Sequence, residues 1–243
     1  MGFILFNIWK IYIGCIFTIT LLLFYPLLYI LLSKENWKPS AFRVYVFWSR
    51  LLRIFCFYGV EKINEYTSTK EPKIIIANHT SYLDIFLLYS TLPQHKFVFL
   101  GKSEILSYPL VKTFFKKLNI PVYRDNRIKA ARSFMVCKKA LNDGWSVVIF
   151  PEGGIPDEHL PKMIPFKDGA FKLAKSCAVP ILPLTFENNY KLFSDPETIF
   201  GSAYPGLARI HFHPMITRKE IEESTLDEIK QRAFTLISGV LKK

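Results

Sequence analysis

The chain has 243 residues, a formal net charge of +12, and a hydrophobic half. That length holds one domain of about 200 residues behind a leader. Cys15, Cys56, Cys137 and Cys177 are scattered, with no Cys-x-x-Cys pair and no nearby histidine ligand set, so neither zinc nor a disulfide framework is indicated and no metal is expected.

The first element in chain order is apolar. Residues 11–32 form a 22-residue run without a charge, IYIGCIFTITLLLFYPLLYILL, long enough to cross ~30 Å of hydrocarbon as a helix, with Pro26 expected to kink it. The run is too long for a signal peptide, and no Ala-x-Ala-like site precedes Lys34-Glu35-Asn36. Over residues 41–60, Phe42, Val46, Phe47, Leu51, Ile54, Phe55 and Phe57 interleave with Arg43, Arg50 and Arg53, the pattern of an interfacial amphipathic helix. Residues 1–60 are therefore read as a membrane anchor and 61–243 as the catalytic domain. Residues 1–55 hold six basic groups and one acid, which suits anionic headgroups. Lys34, Lys38, Arg43, Arg50 and Arg53 follow the apolar run and only Lys10 precedes it, which puts the catalytic side on the cytoplasmic face of an inner or plasma membrane.

Beyond the leader, strand-like and helix-like segments alternate. Strands are expected at 73–77, 97–100, 120–123, 146–150, 181–186 and 207–212, and helices at 82–91, 109–118, 128–142, 169–176 and 226–241. This alternation predicts an α/β fold, a mostly parallel central sheet with helices on both faces. Near-continuous apolar runs such as Ile74-Ile75-Ile76 and Val147-Val148-Ile149 fit strands buried on both sides.

Two polar turns open at strand ends. The first is Asn78-His79-Thr80-Ser81-Tyr82-Leu83-Asp84. Positions five apart on one helix diverge by ~140°, so His79 and Asp84 meet only if His79 lies in the loop and Asp84 in the first turn of the helix that follows. Such a pair is an oriented general base; in the other reading, Ser81 to Asp84 is a helix capping pattern and His79 an ordinary loop residue. The second turn is Phe150-Pro151-Glu152-Gly153-Gly154, after Ser146-Val147-Val148-Ile149. Turns at the carboxyl ends of strands line the ligand crevice of an open α/β sheet.

With residues 121–125 and 179–184, these turns resemble, in order and spacing, the four motif blocks of the glycerolipid acyltransferase family, best known for 1-acylglycerol-3-phosphate acyltransferases. The resemblance covers about residues 70 to 215. It implies a membrane-bound enzyme with a two-helix anchor, spanning or re-entrant. Its donor would be a fatty acyl thioester of coenzyme A or acyl carrier protein, with no cofactor. His79, held by Asp84, would be the base, with no covalent intermediate and with turn amides stabilising the oxyanion. Lys102 and Arg124 match the basic positions that hold the acceptor's phosphate, Glu152 would bind an acceptor hydroxyl or brace the site, and Gly153 is retained. The third block departs: the family reads Phe-Pro-Glu-Gly-Thr-Arg, and here Gly154 and Ile155 stand where Thr and Arg are expected. Isoleucine cannot clamp a phosphate, so Arg127, Lys162 or Lys167 is the candidate replacement. The implied product is phosphatidic acid. The alternatives are an acyltransferase for a phosphate-free lyso-amino-acid lipid and a retired homologue that only binds lipid.

Between Lys96 and Lys175 fifteen Lys/Arg stand against seven Asp/Glu. Such a surplus suits phosphate on lipid or on nucleic acid. Nucleic acid is set aside because the chain lacks an aromatic RNA-binding signature, zinc-finger spacing and a helix-turn-helix pattern.

Overall fold

The computed structural model describes residues 2–64, 69, 71–156, 160–194 and 200–241. Seven strands form one sheet: β1 (Tyr58–Ile63), β2 (Ile74–Ala77), β3 (Phe97–Lys102), β4 (Ile120–Val122), β5 (Ser146–Ile149), β6 (Ile181–Phe186) and β7 (Gly206–Phe212). Their order is β1-β7-β6-β2-β5-β3-β4. All neighbours are parallel except β6 and β7, so β7 and its parallel partner β1 run against the rest. The fold is the expected one, and each strand and helix anticipated after residue 60 is present.

Burial follows the sequence pattern. Every residue of β2, β5 and β6 is buried, as three apolar runs at the centre of the sheet require. Alternate residues feed two cores. Ile75, Ala77, Val148 and Leu182 join one apolar cluster with α1 (Gly2–Leu31), α2 (Lys38–Phe55), α3 (Leu83–Thr91) and α4 (Pro109–Leu118). Ile74, Ile76, Val147 and Ile181 join another with α5 (Arg127–Asn142), α6 (Gly169–Cys177), α8 (Arg218–Glu223) and α9 (Leu226–Leu241). The short α7 (Asn189–Leu192) closes the end of β6.

The interfacial helix expected to reach residue 60 stops at Phe55. Phe57 adopts a left-handed φ of 51°, and the chain turns into β1, which pairs with β7 from Tyr58↔Gly206 to Ile63↔His211. Tyr58 is buried and its hydroxyl donates to Leu192 O, a tertiary contact no local pattern reveals. Residue 60 thus lies within a strand of the sheet.

The leader is integral to the packing. α1 is long and apolar enough, by length and composition, to cross a membrane, yet it touches the domain along its length. Phe3 meets Phe200, Trp9 donates to Tyr58, Phe17 stacks on Trp48, Tyr25 meets Phe114, and Lys117 sits over Tyr29. Leu21, Leu28 and Leu32 are buried, while Leu5, Ile8, Ile11, Ile19 and Leu23 face outward with Phe47, Ile54 and Phe55 of α2. Pro26 lies inside continuous helix, removing one backbone donor.

Candidate active site

The two polar turns stand side by side because β2 and β5 are parallel neighbours, so their carboxyl ends coincide. His79 leaves β2 in the loop and Asp84 is the second residue of α3. His79 Nδ1 lies 2.9 Å from Asp84 Oδ2, as the spacing predicts. That oxygen also accepts from the amides of Thr80 at 2.7 Å and Ser81 at 3.0 Å. The ring-orienting and capping geometries coexist in one carboxylate. An oxygen already accepting from two amides is an acceptor for the ring as well, so Nδ1 carries the hydrogen and Nε2 presents its lone pair. Nε2 has no hydrogen-bond partner among the described residues.

Two residues that sequence reasoning missed complete this pair. Asn189, fully buried, donates from Nδ2 to Asp84 Oδ1 at 2.7 Å. The Phe150 ring stacks on His79 with centroids 4.0 Å apart and 13° between planes, fixing the imidazole plane. Asn189 had a signal: Glu187-Asn188-Asn189 is a polar run at the carboxyl end of β6, the other parallel neighbour of β2. Asn78 locks that neighbour in place by exchanging two hydrogen bonds with the Phe186 backbone.

Glu152 braces the turns. Phe150 to Gly153 is a turn with Pro151 at its second position, closed by Gly153 N–H to Phe150 O at 2.9 Å. It directs the Glu152 carboxylate inward, where Oε1 accepts from His79 N–H and Oε2 from Ile164 N–H, both at 3.0 Å. Glu152 is 2% exposed, and burial pushes its carboxyl above the ordinary value against the downward pull of those two amides.

Beside this brace lies a cluster of cations. Arg124 Nη2 donates to Gly153 O. A methyl group placed on Gly153 would meet Lys167 Nζ at 2.9 Å and Arg124 Nη2 at 3.0 Å, and one on Gly154 would meet Lys102 Nζ at 2.7 Å. Lys102, Arg124 and Lys167 therefore converge over the glycine pair. Gly153 has a φ of +89°, a conformation side chains disfavour, and the bareness of both glycines makes room for the three heads. Lys167 arrives because its amide donates to Pro151 O at 2.9 Å. Its ammonium is held below its ordinary value, by Arg124 first, then by burial and Lys102. Of the three replacements weighed for the absent arginine, Lys167 is the one at the turn; Arg127 lies on the outer face of α5.

The class follows from this arrangement: an α/β enzyme fold that gathers an oriented imidazole and a cation cluster at the carboxyl ends of parallel strands. Residues 55–187 match the family described as Acyltransferase, more than half of the chain, and the chain belongs to that family. It is 33% identical over 201 residues to a 1-acyl-sn-glycerol-3-phosphate acyltransferase of Saccharomyces cerevisiae, covering 77% of this chain and 64% of that protein. It is 30% identical over 173 residues to 1-acyl-sn-glycerol-3-phosphate acyltransferase alpha of Mus musculus, covering 70% and 58%. The chain thus spans less than two thirds of the length of these relatives. The crystal structure of the 1-acyl-sn-glycerophosphate (LPA) acyltransferase PlsC from Thermotoga maritima shares the fold, with a TM-score of 0.78 at 21% identity over 99% of this chain and 96% of that one.

Proposed function

We propose that this protein transfers a fatty acyl chain from an acyl thioester to the free hydroxyl of a lysophospholipid, 1-acylglycerol-3-phosphate, giving phosphatidic acid for phospholipid biosynthesis. The observation that carries this reading is the convergence of Lys102, Arg124 and Lys167 beside a buried, oriented His79. Three cations over two glycines suit a phosphate monoester. The names of the relatives point to the same acceptor.

His79 Nε2 takes the proton from the acceptor hydroxyl as that oxygen bonds to the thioester carbonyl carbon. The tetrahedral centre then collapses, the C–S bond breaks, and the leaving thiolate receives the proton from the imidazolium. Asp84 holds the tautomer and stabilises the cation formed midway. The amides of His79, Thr80, Ser81 and Gly153 are already committed within the turns. Gly154 N–H has no partner among the described residues, so it is a turn amide open to the developing oxyanion. The residues act without a cofactor; the donor is the acyl thioester itself. The outward apolar side chains of α1 and α2 rest in one leaflet, so the anchor lies along the membrane rather than across it, with the domain on the cytoplasmic face.

The test compares acceptors. Arg124→Ala and Lys167→Ala should each raise the KM for 1-acylglycerol-3-phosphate by about 10- to 150-fold, the worth of a hydrogen bond to a charged group, while leaving the donor's KM in place. A wild-type protein that acylates a lyso-amino-acid lipid and ignores every phosphate-bearing acceptor would overturn the assignment.

A further inference from the structure

Helix α5 has an outer face that neither the fold nor the catalytic turns use. Ser133, Cys137 and Leu141 point into the core. On the opposite side Arg127, Ile128, Ala131, Arg132, Met135 and Val136 line one open groove. Ile128 is 68% exposed, Met135 62% and Val136 50%, an apolar stripe at helical spacing laid out to solvent. From Ile128 to Val136 it runs ~12 Å. The helix contributes five cations, Arg127, Lys129, Arg132, Lys138 and Lys139, and no acid. Arg127 and Arg132, which flank the stripe, have no ion-pair partner among the described residues.

We infer that this face docks an acidic protein that delivers the acyl chain as a thioester. The inference rests on the acyl-transfer reading above and adds the donor's carrier to it. Three observations select this occupant. The first is charge complementarity: an apolar stripe rimmed by unpaired arginines fits a partner with apolar side chains rimmed by carboxylates. A second copy of this chain does not fit, because pairing two such faces would bring like charges together. The second is position relative to lipid. The outward apolar residues of α1 and α2 belong to the layer on one side of the sheet and α5 to the layer on the other, so a bilayer under α1 leaves α5 facing water. The third is continuity with the site. Arg127 lies three residues beyond Arg124, whose guanidinium already reaches Gly153 O, so a carrier seated on α5 holds its thioester arm beside the catalytic turns. The arrangement separates the two substrates, with lipid acceptor arriving from the leaflet and donor from the aqueous side.

The experiment uses the full chain in detergent micelles, with palmitoyl-loaded acyl carrier protein and palmitoyl-coenzyme A as alternative donors. The charge-reversal variant Arg127→Glu/Arg132→Glu and the stripe variant Ile128→Ser/Met135→Ser alter exposed side chains only, and an unchanged melting temperature confirms that each folds. Each should raise the KM for the carrier-bound donor about tenfold or more, leaving kcat/KM for palmitoyl-coenzyme A unchanged, and added salt should weaken the wild type toward the carrier alone. Equal losses with both donors, or no loss with the carrier, would overturn the inference. Loss of binding to anionic vesicles with intact use of the carrier would assign the face to a membrane and also overturn it. Anisotropy of a labelled carrier, read without turnover, keeps this result apart from the acyl-transfer reading. Protein inert with both donors but binding the carrier through α5 removes that reading alone, and wild type that fails to bind removes the docking face.

Discussion

Asn189 Nδ2 donates to Asp84 Oδ1 at 2.7 Å, joining the carboxyl ends of β6 and β2 across 105 residues of chain. The reverse orientation of the amide would set two acceptors against each other, so Asn189 is held as a donor. Its own Oδ1 stays buried and without a partner among the described residues. An unpaired buried oxygen costs roughly 1–3 kcal/mol, and the contact with Asp84 is what sustains it. Asn189→Leu removes the donor and the stranded acceptor together. It should lower kcat about tenfold with the acceptor's KM unchanged. A shift in KM alone, or full activity, would refute its role in positioning Asp84.

Removal of the proposed base itself should be far more severe. His79→Ala is expected to reduce turnover by ~10²- to 10⁴-fold without loss of folding, since His79 Nε2 has no hydrogen-bonded acid or base among the described residues to take over its proton. Asp84→Asn acts on both rate and stability because the same oxygen that orients the ring also ties down two amides. Turnover and melting temperature measured on one preparation check this: a variant that loses rate but keeps its wild-type melting temperature would show that a neutral amide oxygen ties the two amides as well as the carboxylate does.

Gly153→Ala places a methyl group at a left-handed φ and within 3.0 Å of both Lys167 Nζ and Arg124 Nη2. The backbone cost alone is about 1–2 kcal/mol. The displaced cations should raise the acceptor's KM as the protein loses stability. Thermal unfolding and acceptor titration together test it, and a variant as stable as wild type would show that the turn relaxes freely.

Acid should destabilise the fold through two histidines. Burial first, then Lys73, lowers His95 to about 4; burial first, then His211, lowers His213 to about 4. Between these values and the unfolded value near 6.5 the unfolded chain binds more protons, so their contribution is full above pH 6.5 and is lost as pH falls toward 4. His213 Nε2 donates to Thr185 Oγ1 at 2.7 Å, and that hydroxyl donates on to Ile237 O. His213→Gln keeps a donor without a titration, so the fall in melting temperature from pH 6.5 to 4 should be shallower. An identical slope would exclude His213 as a source.

Deleting residues 2–33 should not release a stable catalytic domain. The cut removes Leu21, Leu28 and Leu32 from the core and strips Trp48 of its 2.8 Å bond to Thr20 Oγ1. Each large buried aliphatic lost costs about 2–5 kcal/mol, which exceeds the margin of most domains in total. Solubility and cooperative unfolding of the truncated chain test this; a folded, active remainder would refute it.

The central sheet was legible because strands buried on both faces need unbroken apolar runs, and Ile74-Ile75-Ile76 and Val147-Val148-Ile149 supply them. His79 and Asp84 were legible because their spacing is forbidden within one helix and permitted across a loop. β1 was not, since Tyr58-Gly59-Val60-Glu61-Lys62-Ile63 is an edge strand with two charges, stabilised by contacts such as Arg209 to Glu61 at 3.1 Å that lie far away in sequence. Lys167 could be weighed but not chosen, because the amide tie that carries it to Pro151 belongs to an irregular segment without periodicity. For Glu152 the resemblance left two roles open, and bracing was decided only by depth: a glutamate in a turn gives no hint that both its oxygens will be occupied by amides from separate segments.

Because α1 is bound into the same apolar cluster as the strands that carry the catalytic turns, whatever covers its outer side chains acts as a ligand of the native state. Lipid would then raise the melting temperature of the whole protein by mass action, as a tight inhibitor would, and its withdrawal would loosen the site along with the helix. On the membrane reading proposed above, such an enzyme is not shed from its surface by a single proteolytic cut as a working remainder. Its half-life and its address are one property.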